Sequence, residues 1–412
     1  MRNLILIMVA CISFSAAKAQ ENIYSMQQAV ETALKNSPTI KAASSETEAR
    51  RQLLKTNFDL PKTDATLLYG QYNGYPRNDN NITISQSIPF FALGSQGKLN
   101  RALVSSGQLQ EKVTSNDLVL QVKQAWMQLS FLYAQRSLLL QQDSVFEGFY
   151  RAAAARYKSG ESNLLEQSTA DAQRGEIKNR VKLNDSDIAV MRAELKALLS
   201  IPTLPDISSK ELEELQLTTE LDSTIVATNP SLALARQQID VAHAEKTLQR
   251  ARFMPDLTLG YFNQTLIGVQ NLETGVISTR NDRFTGLQVG LAIPIWFGPH
   301  QGRVKAAEFR QKSTEQSFAA NRLRLNTQIE QAVQSYSTMR VSLDYYKNNA
   351  LPNAQVILQQ AQVSYRNGEI GYAEYLIGLR NASSIREAYL QTLNRYNQSI
   401  IFIEFLSGNK SN

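Results

Sequence analysis

Ile82, Ile84 and Ile88 alternate with Thr83, Ser85 and Ser87, and Leu287, Val289, Leu291 and Ile293 alternate with Gln288, Gly290 and Ala292. A period of two predicts strands with one apolar face and one small, polar face. Elsewhere the period lengthens. Leu118, Val122, Ala125, Leu129, Leu132 and Leu139 fall at four- and three-residue spacing, with Arg136 the one polar member. Leu325, Ile329, Ala332, Tyr336, Met339, Leu343, Tyr346 and Ala350 repeat that spacing. Both runs predict coiled-coil seams. A single helix from Ser95 to Lys158 would measure about 95 Å, and its remainder, including Gln108, Gln121, Gln124 and Gln128, suits a wet outer side. Pro352 lies inside the second long run and predicts a kink there, because it cannot donate to the helical ladder.

The two runs are interrupted by near copies of one turn, Tyr157-Lys-Ser-Gly-Glu-Ser162 and Tyr365-Arg-Asn-Gly-Glu-Ile370. Gly160 and Gly368 stand where a helix needs a left-handed residue to close its last turn. Glu161 and Glu369 follow, where the positive end of the next helix would favour them. Matching landmarks surround both turns. Pro38 pairs with Pro230, the strand-ending Pro89 with Pro294, and Gly97-Lys98 with Gly302-Arg303. The extra length of the second copy falls mainly in the loop from Gly268 to Asp282. The chain therefore reads as an internal repeat of helix, strand, strand, very long helix, turn and long helix. The first repeat is expected at 20–208, with strands near 64–73 and 81–89 and long helices near 95–158 and 162–200. The second is expected at 209–412, with strands near 256–267 and 283–294 and long helices near 299–366 and 370–407.

Strands of this pattern fit a soluble sandwich, core against water, or a membrane barrel, lipid against lumen. Ten residues tilted near 45° rise roughly 23 Å, the height of an outer-membrane apolar band. Four strands cannot close a barrel, and open edges in lipid are not tolerated, so the membrane reading requires oligomerisation.

The N-terminus carries Arg2, an apolar run from Leu4 to Phe14 and Ala17-Lys18-Ala19, which reads as a signal peptide over residues 1–19. Cys11, the one cysteine, would leave with it; acylation of Cys11 as a lipoprotein is the alternative. No later run is long and apolar enough for a membrane helix. Loss of Arg2 and Lys18 leaves 41 basic and 37 acidic residues, dispersed along the chain, which gives no support to nucleic-acid binding. His243 and His300 lie in different segments, Gly94-Ser-Gln-Gly97-Lys98 lacks the spacing of a phosphate loop, and Met26, Met127, Met191, Met254 and Met339 are scattered. Neither catalysis, nor a cofactor, nor a metal site is expected.

The doubled pattern of strand pair, Ile-Pro, long helix and Tyr-x-x-Gly-Glu turn resembles the outer membrane factors of tripartite efflux systems, the TolC-like outer membrane efflux proteins. The closing tract, Gly368-Glu-Ile-Gly-Tyr-Ala-Glu-Tyr-Leu376 with Ile385-Arg-Glu-Ala-Tyr389 and Phe405-Leu-Ser-Gly408, is most similar to the heavy-metal cation branch, CzcC-like and CusC-like. The resemblance implies a mainly helical fold with a membrane β-barrel: a homotrimer, four strands per chain in a twelve-stranded barrel within outer-membrane lipid, and a periplasmic helical tunnel. It implies docking of a periplasmic adaptor (membrane fusion) protein, and through it an inner-membrane RND pump, at tips formed by Lys158, Ser159, Gly160, Glu161, Arg366, Asn367, Gly368 and Glu369. Tyr157 and Tyr365 would pack the tips. Glu374 and its counterpart Glu166 would form an acid ring at the entrance, although Ile377 stands where some relatives carry a second acid. Three such carboxylates around a narrow axis would repel one another and attract cations. Other cargo, drugs or type I secreted polypeptides, fits the same duct. A secreted structural coiled-coil protein would share the heptads but not the alternating strands, and a soluble periplasmic binding protein would need strands alternating with short helices.

Overall fold

The computed structural model describes residues 24–74, 76–205, 207, 212–218, 228–271 and 273–408. The expected signal segment, with Cys11, lies outside the described residues. In chain order the elements are α1 Met26–Asn36, α2 Pro38–Gln52, a 3₁₀ turn Leu53–Phe58, β1 Asp64–Gly70, β2 Asp79–Ile88, α3 Phe90–Lys158 and α4 Leu164–Leu199. They continue with α5 Pro230–Ala251, β3 Asp256–Thr265, β4 Arg283–Ala292, α6 Phe297–Tyr345, a π-helical turn Tyr346–Ala350, α7 Leu351–Arg366 and α8 Tyr372–Ser407.

The 69-residue α3 begins at Phe90, five residues before the expected Ser95. Pro89 opens it: the carbonyl of Pro89 accepts from Leu93 N at 3.0 Å, and its missing N–H costs nothing at a helix start. On the second long segment the expected kink takes the form of the π-helical turn, with Pro352 in the first turn of the helix that follows. A π-turn admits one extra residue and so absorbs the carbonyl that Pro352 cannot satisfy.

Two compact units divide the chain. One comprises residues 42–113 and 230–324. It holds a single four-stranded antiparallel sheet in the order β1-β2-β3-β4, so the strand pairs of both repeats join through β2 and β3. The register sets Ala65, Ile84, Tyr261 and Leu287 side by side on one face, and Leu259 beside Val289 and Leu257 beside Leu291 on the same face. Thr66, Thr83, Phe262 and Gly286 line the other. The apolar face is bare: Leu287 is 85% exposed, and Val289, Leu291, Ile82, Ile84 and Leu67 are exposed with it. β2 starts at Asp79 because that buried carboxylate accepts from Ile267 N at 2.8 Å and Thr265 Oγ1 at 2.9 Å, pinning the β1–β2 loop to the end of β3. The loop from Gly268 to Asp282 folds into a small hairpin closed by Gly268 N to Ser278 O and Ser278 N to Val269 O. Below the sheet, Thr47 on α2 meets α3 at Gly107, where a Cβ would lie 2.9 Å from Thr47 Oγ1.

The other unit comprises residues 1–41, 114–229 and 325–412. Its core joins Ala29 and Ala33 of α1, Val122, Trp126 and Leu129 of α3 and Leu195 and Leu199 of α4. Leu343 meets Leu393, Tyr396 and Ile400 of α8 in a second cluster. The strap 212–218 is held there by the fully buried Asn397, whose side chain accepts from Leu215 N at 2.9 Å and donates to Glu213 O at 2.7 Å.

Candidate functional site: the paired helix tips

The turns between α3 and α4 and between α7 and α8 lie in this second unit and close in the same way. Gly160 and Gly368 take φ of +77° and +76°. Glu161 N donates to Arg156 O and Glu369 N to Ser364 O, both at 2.8 Å, so each glycine completes a left-handed cap. Lys158, Ser159, Gly160 and Glu161 are exposed, as are Arg366, Asn367, Gly368 and Glu369.

Neither turn acid begins the next helix. Asn163 caps α4, its side chain accepting from Glu166 N at 3.0 Å, and Gly371 caps α8, where Glu374 accepts from Gly371 N at 3.0 Å. Glu161 and Glu369 therefore belong to the loops, and the first-turn acids are Glu166 and Glu374. Glu369 instead accepts from Ser364 Oγ at 2.8 Å and Asn367 Nδ2 at 3.2 Å, and these bonds hold its carboxyl below the usual range.

Glu166 and Glu374 are not equivalent. Glu374 is exposed. Glu166 is 5% exposed, accepts from the Tyr365 hydroxyl at 2.7 Å and pairs with Arg156 at 3.4 Å. Within the chain Glu166 is thus enclosed where Glu374 is open, so the two acids expected as counterparts have different surroundings. Burial, and then the Glu166 carboxylate, push the Tyr365 phenol up to about 12, so it stays a donor at every physiological pH.

The two tyrosines also part ways. Tyr365 stacks on Tyr375 with centroids 4.5 Å apart and planes 5° apart, and Phe149 meets both edge-on at 5.9 and 5.5 Å. Arg156 lies over the Tyr365 ring, 5.7 Å from its centroid. Tyr157 is 42% exposed and is not part of this ring cluster. The reason is a partner: Tyr375 stands seven residues after Gly368, whereas seven after Gly160 stands Gln167. Arg156 and Phe149 were missed in the sequence because their partner Tyr365 stands on the opposite hairpin, and Tyr375 because its stack on Tyr365 forms only when α7 and α8 fold against each other. Leu164 and Leu165, exposed in the first turn of α4, left a readable signal as paired leucines outside the seam. Between the tips lies a cleft of about 920 Å³, lined by Arg156, Glu161, Glu166, Tyr365, Asn367 and Glu369.

Among the described residues no three His, Cys, Asp or Glu side chains gather as metal ligands, and no helix is long and apolar enough to cross a membrane.

Comparison with known proteins adds relatives. The outer membrane efflux protein family matches residues 221–409. The "Probable outer membrane lipoprotein SilC" of Salmonella typhimurium is 23% identical over 91% of this chain and 84% of its own. The cobalt-zinc-cadmium resistance protein CzcC of Cupriavidus metallidurans is 26% identical over 53% of this chain and 46% of its own. The fold superposes on the crystal structure of CusC with a TM-score of 0.76 at 18% identity, covering 93% of this chain and 92% of that one. It superposes on the outer membrane protein VceC of Vibrio cholerae with a TM-score of 0.77 at 15% identity, covering 93% and 96%.

Proposed function

From the premise that this chain belongs to the TolC-like outer membrane efflux proteins, we propose that it is the outer membrane duct of a tripartite efflux system and that its cargo is heavy-metal cations. One observation carries the duct. The sheet presents a bare apolar face, and its edge strands β1 and β4 have no neighbour among the described residues. In lipid those edges must be paired, and four strands cannot close on themselves, so three copies joined edge to edge give twelve strands. The small, polar face then lines the lumen, and the helices extend the duct into the periplasm.

The cation assignment is supported by the relatives CzcC, a cobalt-zinc-cadmium resistance protein, and CusC, a cation efflux system protein. Drugs or type I secreted polypeptides are the competing cargo. A strain lacking this protein, challenged with copper, silver, zinc, cobalt, cadmium and a drug panel, tests the choice. Hypersensitivity confined to metals, with raised cell-associated metal, supports the cation reading; sensitivity confined to drugs keeps the duct and discards the metals.

At the periplasmic end the exposed turns 158–161 and 366–369 are the docking surface for an adaptor protein that carries an inner-membrane RND pump. The Glu166, Tyr365 and Arg156 network holds the two hairpins together there, and opening of the tips requires its rupture. Glu374, exposed one turn into α8, is the entrance acid, with Ile377 a turn further on exposed beside it. Replacing Glu374 by Gln is expected to lower the cation selectivity of the reconstituted pore, and an unshifted reversal potential would remove Glu374 from that role.

A further inference from the structure

Where the bare apolar face of the sheet gives way to helices, the surface turns aromatic and then cationic. Phe58, Phe90, Phe91, Trp296 and Phe297 are exposed at this corner. Phe90 opens α3 and Phe297 opens α6, and each is followed eight residues later by a lysine, Lys98 and Lys305. Both lysines are exposed. Phe90, Gly94, Lys98 and Arg101 recur at four- and three-residue spacing, which places them on one face of α3, and all four are exposed. Phe297, Gln301 and Lys305 repeat the arrangement on α6. Lys62, two residues before β1, and Arg252, four before β3, add exposed cations. Among the described residues none of these five cations is held in a salt bridge. The carboxylates close to them along the chain are Asp59, Asp64 and Asp256, with Glu308 one turn beyond Lys305 and paired to Lys312.

The opposite end of the sheet differs. There Arg77, Arg280 and Arg283 are matched by Asp79, Glu273 and Asp282. The excess charge belongs to the helix end alone.

We propose that this corner binds the anionic headgroups of phospholipids in the leaflet facing the helices, with Lys98 and Lys305 as the groups that meet the phosphates. The proposal rests on the outer-membrane reading above. Its geometry follows from helix dimensions. Eight residues carry Lys98 and Lys305 about 12 Å along their helices from the phenylalanines. A lysine stem of about 6 Å reaches back toward the ring and brings the ammonium into a headgroup layer roughly 5–8 Å deep. Rings at the headgroup level with cations just beyond them is the order that an anionic interface favours. The balanced charge at the other end means that only one leaflet is recognised in this way. Three copies of the chain would set six such lysines around the base of a barrel.

The full-length protein, purified in detergent and exchanged against phosphatidylglycerol, phosphatidylcholine or inorganic phosphate, gives the test by native mass spectrometry of retained lipid. Each lysine beside an anionic surface contributes roughly a fivefold preference. The Lys98→Gln/Lys305→Gln double variant is therefore expected to lose about 25-fold of the preference for phosphatidylglycerol over phosphatidylcholine. Raising salt should erode the same preference in the unmodified protein. Equal retention of both lipids by the unmodified protein, an undiminished preference in the variant, or equal competition by inorganic phosphate would each overturn the proposal. Fractionation separates this failure from a deeper one. A variant that still forms outer-membrane trimers confines the failure to the lipid site, whereas an unmodified protein outside the outer membrane would remove the reading beneath it.

Discussion

Glu166 and Glu374 each follow a turn glycine by six residues, yet one is sealed among aromatic rings and the other faces solvent. The difference makes Tyr365 a sensitive position. Tyr365→Phe keeps the stack on Tyr375 but leaves Glu166 without its 2.7 Å donor. The expected loss is about 1–3 kcal/mol of contact between the hairpins, read as a leakier duct in conductance recordings with trimers intact. Asn397→Ala strands two backbone groups of the strap at once, Leu215 N and Glu213 O. Thermal denaturation should register a loss of about 2–5 kcal/mol, the upper part reflecting the cavity left at a fully buried site. Glu369 supplies a pH dependence. Its carboxyl is held below the ordinary range in the folded turn, so its bonds to Ser364 and Asn367 stabilise above the unfolded value, near 4.3, and are lost as pH falls through the lowered one. Amide exchange at Asn367 and Gly368 should quicken in that acid window, and an unchanged rate would show that the turn does not depend on the carboxylate.

Among the elements, the strands and the second long helical segment carry the clearest consequences. Both faces of β4 are open in one chain, but only one is apolar. Leu287→Arg places a charge on that face and is expected to cost about 2–4 kcal/mol in the bilayer, seen as loss of heat-modifiable trimers from the outer membrane fraction. Gly290→Ala, on the other face, has ordinary contact as its worst neighbour, with Thr258 Cβ at 3.8 Å, and should insert normally. Gly286 is less forgiving, since an added Cβ would come within 2.5 Å of the Phe262 ring. In the second helical segment, Lys347 within the π-turn pairs with Glu214 of the strap, so the irregular turn is tied to the segment that joins the two halves of the chain. The same role has no counterpart in α3, where the helix runs unbroken. Glutamines on α3 also recur every seven residues. Asn394 donates to Gln128, Asn184 donates to Gln135, and Gln142 donates to Glu387. Polar rungs at heptad spacing fix the register of helices whose apolar seams alone would tolerate slippage.

At the scale of the whole molecule, each half of the chain supplies two strands and a hairpin, and neither half makes a complete wall. Strand periodicity, the four- and three-residue seams, the left-handed glycines and the break near Pro352 were legible in the sequence, because each arises from steric and solvation preferences of residues close along the chain. The family resemblance was legible for the same reason, as a doubled order of such local signals. Other features were decided by tertiary structure. β2 and β3, more than 160 residues apart, merge the two repeats into one sheet. The similar Tyr157 and Tyr365 turns become different because only Tyr365 stacks on a tyrosine of its own hairpin, Tyr375, and meets Glu166 of the other. Burial of Glu166, the hold of Asn397 on the strap and the start of β2 at Asp79 likewise depend on partners supplied by distant segments. Local periodicity states which face of an element is apolar; only packing states what that face meets.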